Sequence, residues 1–224
     1  MSAYFVTSTG TDIGKTFVTA GLIRAFRDAG RKVSALKPIV SGFNIATSAL
    51  SDPGVLLGAL DEPITVEALA RLSPWQFAAP LSPDMAAARE GKSVPFDEIV
   101  ALCRDAIATE TGTLFIEGVG GVMVPLDDRR TVLDWMAALR LPLIVVAGGY
   151  LGTISHTLTA LDVLARAKLD VAALVINDSG DGAVPLDETA ATLGRFTSVP
   201  IAILPRVKAP VAARDHFAKL AASL

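Results

Sequence analysis

At 224 residues, half of them hydrophobic, the chain has enough apolar material for a substantial core and reads as one domain spanning residues 1–224. A net charge of −3 without a basic patch gives nucleic-acid binding no electrostatic support, and a single cysteine, Cys103, excludes an intramolecular disulfide and fits a reducing compartment. The most apolar stretch, Leu141–Ile154, holds a proline and three glycines and is too short to span a bilayer. No charged segment followed by an apolar one opens the chain, so a cytoplasmic protein with no signal peptide and no membrane partner is expected.

Short β-branched runs alternate with longer helical patterns. Tyr4–Thr7 reads as a strand, and the glycine loop Gly10-Thr-Asp-Ile-Gly14-Lys15-Thr16 follows it. Thr16–Ala29 then reads as a helix, with Val18, Leu22, Ile23 and Phe26 on one face and Gly30 as its stop. Lys32–Leu36 reads as the second strand. The stretch Ser41–Glu90 is rich in Gly, Pro, Ser and Ala and shows only weak helical patches, at Val55–Leu60 and Val66–Leu72; a long insertion of this kind is often functional. Thr113–Ile116, Leu143–Ala147, Val171–Ile176 and Ile201–Leu204 are continuous apolar runs, as strands covered on both faces should be. Helical patterns occupy Phe96–Ala108, Thr131–Leu139, Thr153–Ala167 and Leu186–Phe196, and a mildly amphipathic helix, Val211–Leu224, closes the chain. Strand–helix alternation predicts an α/β fold with a mostly parallel central sheet, and the glycine loop after the first strand makes a P-loop NTPase-like three-layer sandwich the expected form.

In such a sheet, ligands sit beyond the carboxyl ends of the strands, so each strand is informative at that end. The first ends in a strand–glycine loop–helix arrangement whose backbone N–H groups and helix N-terminus suit phosphate. Lys15 would reach the β- and γ-phosphates and the Thr16 hydroxyl would hold Mg²⁺. The common spacing places a glycine five residues before Gly14, where this chain has Thr9. Lys37 follows the second strand, where it is placed to bind a transferring phosphoryl group or a substrate anion, against the plainer alternative of a solvated lysine. The third strand ends in Glu117-Gly118-Val119-Gly120-Gly121, an acidic residue where such proteins put a metal-side carboxylate. After Leu143–Ala147 comes Gly148-Gly149-Tyr150-Leu151-Gly152-Thr153, with Thr153 expected as the helix N-cap and His156 expected to be structural. Asn177-Asp178 and Pro205-Arg206-Val207 end the last two strands, with Asn177 and Asp178 able to read a base edge. Cys103 reads as a small buried hydrophobe.

In order, these segments resemble the dethiobiotin synthetase family, ATP-dependent enzymes that close the ureido ring in biotin synthesis. The likeness runs from Tyr4 to about Val207. It is carried by the opening strand and loop, by Lys37-Pro-Ile-Val-Ser41-Gly42, by Phe77-Ala-Ala-Pro80-Leu-Ser82-Pro83, by Glu117-Gly-Val-Gly-Gly121, by Leu151-Gly-Thr-Ile-Ser-His156, and by Asn177-Asp178 and Pro205. The resemblance implies that Lys15, Lys37 and Thr11 surround the reacting phosphate and carbamate. It implies that Asp12, Ile13, Gly14, Lys15, Thr16 and Phe17, with Glu117, Gly118, Val119 and Gly120, cradle ATP. Thr16, Asp52 and Glu117 would surround Mg²⁺, and Asn177, Asp178, Pro205, Arg206 and Val207 would sit at the base. Ser41 and Pro80 would hold the diamine, while Leu151, Gly152, Thr153 and Ser155 would take its carboxylate across a homodimer interface. The implied reaction joins 7,8-diaminononanoate to CO₂ as a carbamate, phosphorylates the carbamate with ATP, and closes the ring by attack of the second amine.

The chain departs from the family's pattern at four places: Ser8 where a glycine is usual, Gly10 for an aspartate, Asp84 for a histidine and Ser155 for an asparagine. A competing reading is a partner-regulated P-loop switch ATPase of the partitioning or division-site type. Those proteins place a lysine four residues before the loop's last glycine, where this chain has Gly10. An amidotransferring ligase on the same scaffold would need a glutaminase domain, for which the chain has no room.

Overall fold

The computed structural model describes residues 2–179, 184–206 and 213–224. Among the described residues a six-stranded, wholly parallel sheet forms the centre, in the order β2-β5-β1-β6-β7-β8. Its strands are β1 (Ser2–Ser8), β2 (Val33–Leu36), β5 (Thr113–Glu117), β6 (Leu143–Gly148), β7 (Val171–Asn177) and β8 (Ile201–Leu204); β3 (Ile39–Ser41) and β4 (Trp75–Phe77) form a separate parallel pair. The sheet reverses its order at β1, which has β5 on one side and β6 on the other. That switch point is where a ligand crevice opens in sheets of this kind.

Alternation along β1 sorts the core into two layers. Phe5 points to one face, where its ring meets Trp135 edge-on at 4.9 Å between centroids. Tyr4 and Val6 point to the other, with Tyr4 stacked on Phe115 at 5.8 Å. The helices divide accordingly. On the Tyr4 side lie α1 (Lys15–Asp28), α2 (Asp52–Leu60), α3 (Val66–Leu72) and, at the chain's end, α9 (Arg214–Ala222). On the Phe5 side lie α4 (Pro83–Arg89), α5 (Phe96–Thr109), α6 (Val132–Leu139), α7 (Thr153–Arg166) and α8 (Leu186–Leu193). This is the three-layer arrangement the alternating pattern predicts, and burial on both faces explains why β6 and the centre of β5, Leu114–Ile116, are continuous apolar runs. Among the described residues no helix is long and apolar enough to cross a membrane.

The Ser41–Glu90 stretch holds more structure than its weak patterning predicts: α2, α3, α4, a 3₁₀ turn at Ile45–Leu50, and β4. Each element is short, so tertiary contacts rather than periodicity stabilise it. The stretch grips the chain around Lys37. The Lys37 N–H donates to the Leu72 carbonyl at the end of α3 (3.0 Å), and the Ser73 hydroxyl donates to the Lys37 carbonyl (2.5 Å). The Gly42 N–H donates to Ala79 O (3.0 Å), bringing Ser41 and Gly42 beside Pro80.

Candidate active site

The loop after β1 turns through Asp12 (φ 57°) and Gly14 (φ 97°) before α1 begins. Gly14 is constrained twice: its left-handed backbone disfavours a side chain, and a Cβ there would lie 2.3 Å from Asn177 Nδ2. Asn177, at the end of β7, donates from Nδ2 to the Ile13 carbonyl at 3.0 Å. Its amide therefore braces the phosphate-type loop from behind.

Four charged side chains converge at the carboxyl ends of β1, β2 and β5. Lys37 is fully buried; its Nζ donates to Glu117 Oε1 (2.7 Å) and to the Gly118 carbonyl (2.8 Å) and pairs with Asp52 Oδ2 (3.0 Å). Burial works against the Lys37 charge, but Glu117 and Asp52 outweigh it and hold the ammonium above its ordinary range. Asp52 opens α2 after Ser51, whose Oγ accepts from the Gly54 N–H. Burial raises the Asp52 carboxyl, yet Lys37, the Thr16 hydroxyl and Lys15 leave it below the usual carboxylate range. Lys15 is also buried, with Nζ 3.0 Å from Ser8 Oγ. Burial, assisted by the neighbouring Lys37 charge, lowers its pKa to about 8.

The Thr16 hydroxyl donates to Glu117 Oε1 at 2.7 Å. The other carboxylate oxygen, Oε2, is buried and has no hydrogen-bond partner among the described residues. An orphaned buried carboxylate oxygen is costly unless a cation or donor occupies the space beside it. With the Thr16 hydroxyl and Asp52 close by, the donor set is all oxygen. Among the described residues no three His, Cys, Asp or Glu side chains gather as a metal cage. Two carboxylates and a hydroxyl are what Mg²⁺ takes when phosphate and water supply its remaining positions.

Lys15, Thr16, Lys37 and Asp52 line a cavity of about 650 Å³ together with Thr11, Asp12, Ser41, Leu50, Pro80, Ser82 and Val119, while Glu117 is buried behind Thr16 and Lys37 and does not itself line it. Sequence-expected residues from five separate segments thus meet in one crevice: Thr11, Asp12, Gly14, Lys15, Thr16, Lys37, Ser41, Asp52, Pro80, Val119 and Gly120. Among the described residues the Ser41 hydroxyl, buried at this surface, has no hydrogen-bond partner. The alternative of a solvated Lys37 does not hold, since both neighbouring carboxylates reach it.

Other expected residues lie elsewhere. Leu151, Gly152, Thr153 and Ser155 are absent from this cavity. Nor do they line the second hollow, of about 430 Å³, which their chain neighbours Tyr150 and His156 border with Thr9, Asp12 and Ser179. Thr153 is not the N-cap of α7. Gly152 is, and the buried Thr153 hydroxyl instead donates to the Gly148 carbonyl at 2.6 Å. The competing backbone acceptor lies one turn back and draws the hydroxyl away from the helix end. His156 is exposed, with Nδ1 2.8 Å from the Tyr150 hydroxyl. Asp178 hydrogen-bonds through its N–H to the Leu204 carbonyl, which ties β7 to β8 just before Pro205 and Arg206. Phe17 is part-exposed and packs edge-on against Phe217 of α9. Val207 lies outside the described residues, as does Val211, where the last helix was expected to begin. Val40 and Ser82 also line the main cavity; they lie inside the Lys37–Gly42 and Phe77–Pro83 segments but were given no role there, and Leu50, which lines it too, carries no motif.

Known proteins match this picture at the levels of family and fold. The family model described as an AAA domain matches residues 2–213. The ATP-dependent dethiobiotin synthetase BioD of Acidiphilium cryptum is 50% identical over 196 residues, covering 87% of this chain and 88% of its own length. Its counterpart in Methylobacterium nodulans is 46% identical over 211 residues, covering 92% and 94%. Among solved structures, the cell division ATPase MinD of Pyrococcus furiosus superposes with a TM-score of 0.59 at 17% identity, covering 100% of this chain and 98% of that one. A ParA family ATPase from Chlorobium tepidum gives 0.57 at 14% identity, covering 100% and 99%. Identities this low speak for the fold alone. With half-identical relatives aligned along nearly the whole chain, and the loop, the buried Lys37 and the Glu117 turn all meeting at one switch point, this chain belongs to the ATP-dependent dethiobiotin synthetase family.

Proposed function

We propose that this chain is an ATP-dependent cyclo-ligase that converts 7,8-diaminononanoate and CO₂ to dethiobiotin, with ADP and phosphate as co-products. The observation that carries it is the buried cluster of Lys15, Lys37 and Glu117, joined by the half-exposed Asp52, beside a cavity that Ser41 and Pro80 also line. The site offers positioned charge and no activated side-chain nucleophile, which suits a reaction whose nucleophiles are the substrate's own amines.

In this reading the phosphates rest on the backbone N–H groups between Thr11 and Thr16, at the positive end of α1. Lys15 and Lys37 approach the γ-phosphate and neutralise charge as the carbamate oxygen displaces ADP. Thr16, Asp52 and Glu117 would hold Mg²⁺, which when bound neutralises phosphate charge. The carbonyl of the phosphorylated carbamate is then attacked by the second amine, and phosphate leaves. Ser41, Gly42 and Pro80 form the wall against which the diamine lies. Val119 and Gly120 line the same space, and Gly118 acts behind it by holding Lys37 Nζ through its carbonyl.

The carboxylate end of the diamine falls to Leu151, Gly152, Thr153 and Ser155 of a second copy of the chain. Two observations support a homodimer arranged this way: these residues lie outside the cavity that holds Ser41, and the large apolar side chains Leu50, at the cavity's edge, and Leu151 are 84% and 81% exposed. We place the enzyme in the cytoplasm. Phosphate release measured with ATP, Mg²⁺ and bicarbonate, with and without the diamine, tests the assignment, with the product identified by mass. Diamine-dependent release yielding dethiobiotin is expected. ATP hydrolysis indifferent to the diamine would overturn it.

A further inference from the structure

Ser8 is the last residue of β1 and is fully buried. Its Oγ lies 3.0 Å from Lys15 Nζ, 2.6 Å from the Gly10 carbonyl and 2.9 Å from the Gly120 carbonyl. A hydroxyl has one proton to give and lone pairs to accept with. It donates to one or both of the two carbonyls and accepts from the Lys15 ammonium. Among the described residues this is the one hydrogen bond given by Lys15 Nζ. The Ser8 main chain joins the same structures, since its carbonyl accepts from the Val122 N–H at 3.1 Å. Ser8 thus touches the nucleotide-type loop through Gly10, the Glu117–Gly121 turn through Gly120, and the buried cation between them. Glycine, the residue usual here in the family, offers none of these side-chain bonds.

We propose that Ser8 is a positioning residue that anchors the Lys15 ammonium at the floor of the loop before nucleotide arrives. A buried lysine has four rotatable carbon–carbon bonds to order, and a fixed acceptor at the floor removes that cost from the binding step. One Lys15 proton stays on Ser8 while the other two face the phosphates. The bond exists in ground state and transition state alike, so its loss weakens nucleotide binding without slowing the chemical step.

This inference rests on the ATP-binding reading of the site, and the experiment separates the two. Calorimetric titration with Mg-ATP is run on the unaltered protein, on Ser8→Ala and on Ser8→Gly, the last because glycine is the family's usual residue here. The hydroxyl's loss is expected to raise Kd and KM for ATP about tenfold, with kcat and the diamine KM within twofold; hydrogen bonds to charged groups contribute on this scale. In a Lys15→Gln background, Ser8→Ala should cost little more, because the bond it removes is already altered. Equal ATP affinity in all three proteins, or an undiminished Ser8→Ala effect in the Lys15→Gln background, would overturn the inference. Absence of ATP binding by the unaltered protein would overturn both it and the reading it rests on.

Discussion

Lys37→Met tests the site's central pair, because it removes the ammonium and keeps most of the volume. Lys37 and Glu117 are both fully buried and 2.7 Å apart, so the change strands the carboxylate without its ion-pair partner and leaves only the less direct attraction of Lys15. Removing one partner of a buried pair typically costs about 3–5 kcal/mol of stability. The same ammonium is placed to stabilise charge on the transferring phosphoryl group, where losing one such donor costs about 3–4 kcal/mol, a fall of roughly 10²–10³ in kcat. The two losses separate in the double variant Lys37→Met, Glu117→Gln, which removes the stranded charge as well. Urea unfolding should show Lys37→Met strongly destabilised and the double variant largely recovered, while phosphate release stays low in both. Near-normal turnover in Lys37→Met would refute the catalytic role. A double variant no more stable than the single one would refute the buried-pair argument.

Three further outcomes follow from the packing. Gly14→Ala should abolish measurable ATP binding by calorimetry, because the new Cβ meets Asn177 Nδ2 at 2.3 Å from a left-handed backbone, a conformation that costs a side chain about 1–2 kcal/mol before any clash. Gly21→Ala should lower stability by about 1–3 kcal/mol in urea, since the added methyl would sit 2.2–2.4 Å from the Phe217 ring that joins α9 to α1. Burial pushes the Cys103 thiol up to about 12, so it stays protonated at neutral pH. Iodoacetamide should leave it unmodified in the folded protein at pH 8 and alkylate it at the rate of unfolding; rapid labelling under native conditions would contradict its placement in the core.

Period and punctuation were enough to read the parallel sheet and its flanking helices, because each strand is a continuous apolar run and each long helix carries an apolar face. The glycine loop was legible for a similar reason. Its chemistry is local, and the residues that bend it and follow it are neighbours in the chain. Even so, the reason Gly14 tolerates no side chain is Asn177, 163 positions away, as well as its own φ of 97°. The Ser41–Glu90 elements were underestimated because they are held by contacts such as Lys37 N–H to Leu72 O, which leave no periodic trace.

The linear order of segments therefore determined the fold class, the family and most of the residues that meet in the main cavity, since motif residues sit at strand ends and strand ends share one edge of a parallel sheet. Tertiary structure decided how those residues act on one another. Asp52, resting on little more than a Ser-Asp pair in the sequence, lies 3.0 Å from Lys37. Ser8, visible beforehand only as a departure from the family pattern, becomes the acceptor for Lys15. Leu151–Ser155, adjacent in motif order to the rest, stands apart from the cavity in space. Charge pairing and hydrogen bonding depend on distances across the fold, and a one-dimensional pattern carries residue types and spacings but none of those distances.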